Sequence, residues 1–167
     1  MNTFTIHPGS SETLQALERN IGFIPNLAAT IAASPTALAG FVGLQTALRS
    51  STLTGLEREI VGITVSRFND CAYSLAAHSK FARMQGGDEA LVGALVAGEP
   101  LADERHEALR AFTLALLSER GHASFDGLGA EEALEVIAQV AYTTFANLAA
   151  NVAATPIDDA FAAAAVA

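Results

Sequence analysis

Cysteine is nearly absent: Cys71 is the only one in 167 residues. No intrachain disulfide can form, which excludes a disulfide-stapled scaffold and points to an intracellular, cytoplasmic protein. Charge is also scarce, at 16% of residues against about 25% in average soluble domains. No lysine- or arginine-rich cluster occurs and the formal net charge is −9, so nucleic acid and anionic membrane are poor partners. No apolar run reaches the roughly eighteen residues of a spanning helix. Residues 1–8 lack the basic-then-apolar order of a secretory signal. No two histidines stand four apart and no compact His–carboxylate set occurs, so no metal is expected. Glycine-rich phosphate loops, fixed-period repeats, strand hairpins and linkers are missing too, so no cofactor and one domain over 1–167 are expected.

Apolar residues are plentiful instead, at 51%, and they recur at helical spacing. The periodicity predicts an all-α chain with a short helix after Ser10 or Ser11, closed by Gly22. Two further helices, 27–33 and 35–49, divide at Ser34-Pro35, where Ser34 caps and Pro35 takes the first turn. Leu56, Ile60, Ile63 and Val65 mark a helix apolar on more than one face, hence buried. A helix from Cys71 to Gln85 follows, with Leu75, Phe81 and Met84 expected to pack. Asp88 opens a short helix, and 102–120 forms a long one whose first turns, Asp103 to Glu107, read as solvated. In 131–152, Leu134, Ile137, Val140, Ala141, Phe145 and Leu148 read as the core stripe. Asn147 is expected at its edge or opposite it, and the tail after Pro156 carries no functional signal. The sparse charge and excess apolar surface predict self-association.

The stretch from Glu59 to His78 concentrates the chemistry. Asn69 and Asp70 break two helical patterns and are good caps, which places Cys71 in the first turn of the second helix. There the free N–H groups and the helix dipole favour a thiolate. Residues three or four apart share a face, so Ser74 adjoins both Cys71 and His78. Cys71 itself lies about 10 Å from His78 along the axis, at roughly 1.5 Å per residue, so a direct bond between them is not expected. Glu59, an acid in an apolar run, would reach the same region from the preceding antiparallel helix. An unpaired buried charge is costly, so Glu59 needs a partner or a polar pocket.

The order Glu59, Cys71, Ser74, His78, with Asn69 and Tyr73 flanking the cysteine, resembles the alkylhydroperoxidase D-like or carboxymuconolactone decarboxylase superfamily. Gly22-Phe23-Ile24-Pro25-Asn26, Ser34-Pro35 and Asn147 extend the resemblance over roughly residues 20–150, although Leu148 stands where an arginine is common. The resemblance implies a single helical domain with a central antiparallel helix pair, in a homo-oligomer built from trimers. It implies Glu59, Cys71, Ser74 and His78 as catalytic residues acting on a small molecule such as a hydroperoxide. Redox members carry a second cysteine where this chain has Ser74, and in them that second thiol attacks peroxide. Three readings follow. The first is a one-cysteine peroxidase needing an external thiol reductant. The second is acid–base chemistry by Glu59 and His78 on a small acidic or lactone substrate. The third is a non-catalytic oligomeric scaffold.

Overall fold

The computed structural model describes residues 4–162, in which capping residues mark off nine α-helices after a 3₁₀ turn at Pro8–Ser10. Helix α1 spans Ser11–Ile21 and ends at Gly22, whose φ of 85° needs the freedom of glycine. Helices α2, Asn26–Ile31, and α3, Pro35–Leu48, are separated by Ser34, whose side chain accepts from the Ala37 amide. Helix α4, Gly55–Phe68, opens with a capping box in which Thr54 and Glu57 satisfy each other's backbone amides. Helix α5, Ala72–Met84, follows after a tight turn. Asp88 and Asp103 cap α6, Glu89–Ala97, and α7, Glu104–Ser118. Helix α8, Ala130–Ala153, is the longest, and α9 is the single turn Asp159–Ala162.

Helix α4 is the axis of the fold because residues 60–66 are buried on every side. Val61 and Val65 enter one buried cluster with Leu109, Phe112 and Val136 of α7 and α8. Ile60 and Ile63 enter another with Ala82, Val92 and Leu95 of α5 and α6. A third cluster joins α2, α3, α5 and α8 through Leu27, Ile31, Leu38, Tyr73 and Ala146. Among the described residues, no helix is long and apolar enough to cross a membrane.

Three expectations need correction. Most of the stripe expected to be the core of α8 faces outward, with Leu134 67% and Leu148 55% exposed, while Val140 of the same stripe packs against the Val61–Leu109 cluster. The buried face is one position over: Ala133, Val136, Gln139, Thr143, Ala146, Asn147 and Ala150. Helix α8 is apolar on both sides, so periodicity alone cannot choose a face. The first turns of α7 are not simply solvated, since Arg105 bridges Glu57 of α4 and Glu132 of α8. Met84 is exposed. The tail after Pro156, from which no functional signal was expected, packs Phe161 against Phe23, Tyr73 and Phe81, and its residues 163–167 lie outside the described residues.

Candidate active site

The turn between α4 and α5 is built by amides of α8. Asn147 is fully buried; it donates to Ser66 Oγ at 3.2 Å and accepts from Asn69 Nδ2 at 3.0 Å. Ser66 in turn donates to the Gly62 carbonyl at 2.7 Å, and Asn151 donates to the Asn69 carbonyl at 3.0 Å. These bonds satisfy buried polar groups that would otherwise be costly. Asn69 closes α4 rather than opening α5, and Asp70 takes a left-handed conformation at φ 52°. Cys71 therefore sits at the N-cap of α5, one position outside the first turn expected for it, with its amide bonded to the Ser66 carbonyl at 2.9 Å.

Two turns along α5, His78 Nδ1 meets Glu59 Oε2 of α4 at 2.6 Å. The two side chains are 11% and 18% exposed, which keeps the pair partly shielded from water. A carboxylate can only accept, so Nδ1 donates across this contact and Nε2 is the ring nitrogen outside the pair. The close approach depends on Gly62: a methyl group there would lie 2.5 Å from His78 Nδ1 and 2.8 Å from Cγ. Glycine inside a helix is unfavourable by about 0.5–1 kcal/mol relative to alanine, and here it gives the imidazole a seat against the α4 backbone.

His78 borders two adjoining cavities. One, about 120 Å³, is walled mainly by apolar side chains including Phe41, Tyr73, Phe81 and Phe161. The other, about 240 Å³, is lined by Glu59, Arg49, Arg58 and Gln139 among others. Gln45, Arg49, Phe81 and Tyr142 border both, alongside His78. Tyr142 stacks on Phe41 with centroids 4.8 Å apart. Burial, and then the negative charge of Glu59, push its phenol well above the ordinary tyrosine range. Tyr142 thus stands beside the pair as a neutral hydroxyl. On the far wall Tyr73 donates to Asp158 at 2.6 Å, while Asp158 also accepts from the Asn26 amide at 3.1 Å. Burial first and the Asp158 bond second raise the Tyr73 phenol as well.

The four residues singled out from sequence do not form one pocket. Glu59 and His78 are joined and line a cavity. Cys71, 1% exposed, belongs to the apolar cluster with Tyr73, Ala146 and Phe161, and Ser74 is buried; neither lines either cavity. Sequence reasoning missed Gln45, Arg49, Gly62, Gln139 and Tyr142. Gly62 within a buried helix and Gln139 on an apolar one were readable as signals of close approach and of a polar site. Nothing in the sequence marks Gln45, Arg49 or Tyr142. Among the described residues, no three His, Cys, Asp or Glu side chains converge as a metal site.

Comparison with known proteins brings the same region forward. Residues 35–115 match the model of the carboxymuconolactone decarboxylase family. No curated relative matches the chain. Among solved structures, an alkylhydroperoxidase AhpD core, an uncharacterized peroxidase-related protein from Ralstonia eutropha JMP134, is similar with a TM-score of 0.80 at 21% identity, covering 96% of each chain. An uncharacterized peroxidase-related protein from Silicibacter sp. TM1040 gives 0.79 at 21% identity, covering 93% of this chain and 88% of that one. A cysteine-to-alanine variant of the debrominase Bmp8, in complex with 2,3,4-tribromopyrrole, gives 0.78 at 24% identity over 98% of this chain and 96% of that one. These likenesses show a shared fold.

Proposed function

We propose that the chain, whose residues 35–115 match the carboxymuconolactone decarboxylase family and whose fold resembles that of an alkylhydroperoxidase AhpD core, is a small-molecule enzyme whose Glu59–His78 pair moves protons. The observation that carries this reading is the 2.6 Å contact at the edge of two cavities. Nε2 takes a proton from an acidic C–H or O–H of the substrate, and the imidazolium that forms is held by the Glu59 carboxylate on its other side. The same ring returns the proton to the product, so no net charge remains on the enzyme. The substrate class is a small acid or lactone. The test is deuterium incorporation into such compounds in heavy water, followed by proton NMR. Wild type and Cys71→Ala should incorporate the label; His78→Gln and Glu59→Gln should not. Label uptake surviving in His78→Gln would end this reading.

Thiol-dependent peroxidase activity is the second reading, favoured by Cys71 at the N-cap of α5 and by peroxidase-related proteins of the same fold. It requires the buried thiol to meet a hydroperoxide and an external thiol to resolve the sulfenic acid. Peroxide consumption that Cys71→Ala abolishes would put it first. Self-association belongs to either reading. Leu134, Ala141 and Leu148 stand seven apart on the outer face of α8, beside Phe145 and Val152. An apolar stripe of this kind suits a second copy of the chain, and light scattering at micromolar concentration tests it.

A further inference from the structure

In a chain of net charge −9, the larger cavity is lined by Arg49 and Arg58 against a single carboxylate, Glu59. Arg58 is held in place by its bond to the Leu53 carbonyl at 2.6 Å. Arg49 takes part in none of the ion pairs among the described residues. It stands where the two cavities adjoin, with Gln45 and Tyr142 beside it and His78 on the same border. The smaller cavity, at about 120 Å³, is on the scale of an apolar cavity of about 150 Å³ that holds benzene.

We propose that this site binds a small carboxylate with a ring-sized apolar body: the ring in the aromatic-walled cavity, the carboxylate on Arg49. This rests on the proton-transfer reading for what happens next, since it sets the acid's flank against His78. The chemistry selects on two counts. The apolar walls favour a ring over a short polar chain by burying its surface. A planar guanidinium favours a carboxylate, which it can hold with two parallel hydrogen bonds. A cation would meet Arg49 and Arg58 directly, and a bulky acid would exceed the cavity.

Three probes separate the two halves of the claim: benzoate, benzamide with the same ring and no charge, and acetate with the charge and no ring. The chain has no tryptophan and two tyrosines, and both tyrosines line the smaller cavity. Tyrosine emission therefore reports occupancy, with titration calorimetry as the second measurement. Benzoate should bind at least tenfold more tightly than benzamide or acetate, and Arg49→Gln should bring benzoate down to the affinity of benzamide. Arg49→Lys, which keeps the charge, should retain part of the preference and shows that the loss is not one of folding. Benzamide equal to benzoate, acetate equal to benzoate, no saturable benzoate binding at millimolar concentration, or an Arg49→Gln variant unchanged would each overturn the assignment. Benzoate binding with no deuterium uptake into the C–H positions of the small acids and lactones of the label test would overturn the proton-transfer reading alone. Incorporation without the benzoate preference would overturn this one alone.

Discussion

At its N-terminal end α5 presents a thiol sealed in an apolar cluster; two turns later it presents an imidazole paired with a carboxylate at a cavity edge. Both ends belong to one short pattern in the sequence, yet their surroundings differ in kind. The cysteine end is fixed by amides from α8 and packed by Ala146 and Phe161. The histidine end is bordered by Arg49, Gln45 and Tyr142, polar groups with room beside them. A nucleophile needs access, whereas a proton relay needs a closely held partner and a cavity beside it that admits the substrate. The arrangement suits the second better than the first.

The comparison breaks first on turnover. His78→Gln or Glu59→Gln should lower the rate of proton transfer by about 10²–10⁴-fold, the usual contribution of a positioned acid–base group, while Cys71→Ala changes it less than about tenfold. Steady-state rates on any substrate found by label incorporation decide this. If Cys71→Ala is as damaging as His78→Gln, the two ends work as one unit.

Thiol access is the next test. Iodoacetamide should modify Cys71 in the folded protein at least about 100-fold more slowly than in urea-unfolded protein, because reaction must wait for local opening. Mass spectrometry of timed samples measures it. Rapid labelling of folded protein would restore the cysteine end as a reactive site.

Gly62→Ala sharpens the comparison at the other end. The added methyl forces His78 away from Glu59, and a displacement of about 1 Å in a catalytic group can cost about 10²-fold in rate. The thermal midpoint should also fall, by the equivalent of about 1–3 kcal/mol for overpacking. Cys71 labelling should be unchanged, since the substituted position faces the histidine.

The smallest effect is a shared one. Burial alone would raise the Glu57 carboxyl, but hydrogen bonds from Arg105 and Thr54 outweigh it and hold it below the ordinary glutamate range. A depressed folded value contributes stability that is present above the unfolded pKa and lost as pH falls through the folded one. Urea midpoints should therefore hold from about pH 7 to about pH 5 and decline as the pH falls below the ordinary glutamate value of about 4.3. Glu57→Gln should flatten part of that decline.

Much of this was legible before the structure. Caps such as Ser34, Thr54, Asp88 and Asp103 write helix starts into the sequence because their side chains answer a local need. Glu59 was legible as a charge that had to find a partner, and His78 is that partner. The face buried by α8 was not legible, since leucines occupy one side and small residues the other, and close packing on α4 favours the small ones. Tyr142 and Arg49 were not legible because their role arises from tertiary placement rather than spacing. Asp158 was missed for the same reason: its partners, Tyr73 and Asn26, lie 85 and 132 residues away.

That last tether has a consequence for the order in which the protein is made. Tyr73 and Phe81 emerge early in synthesis, but the wall they form around the small cavity includes Phe161. Domains fold as the chain is produced, from the N-terminus onward, so α4 and α5 can pair while the cavity still lies open on one side. The ribosome must add the segment through Phe161 before that side is covered. A nascent or prematurely stopped chain would then carry the Glu59–His78 pair without its aromatic enclosure, and chemistry that needs a dry, shaped pocket would wait for the finished polypeptide.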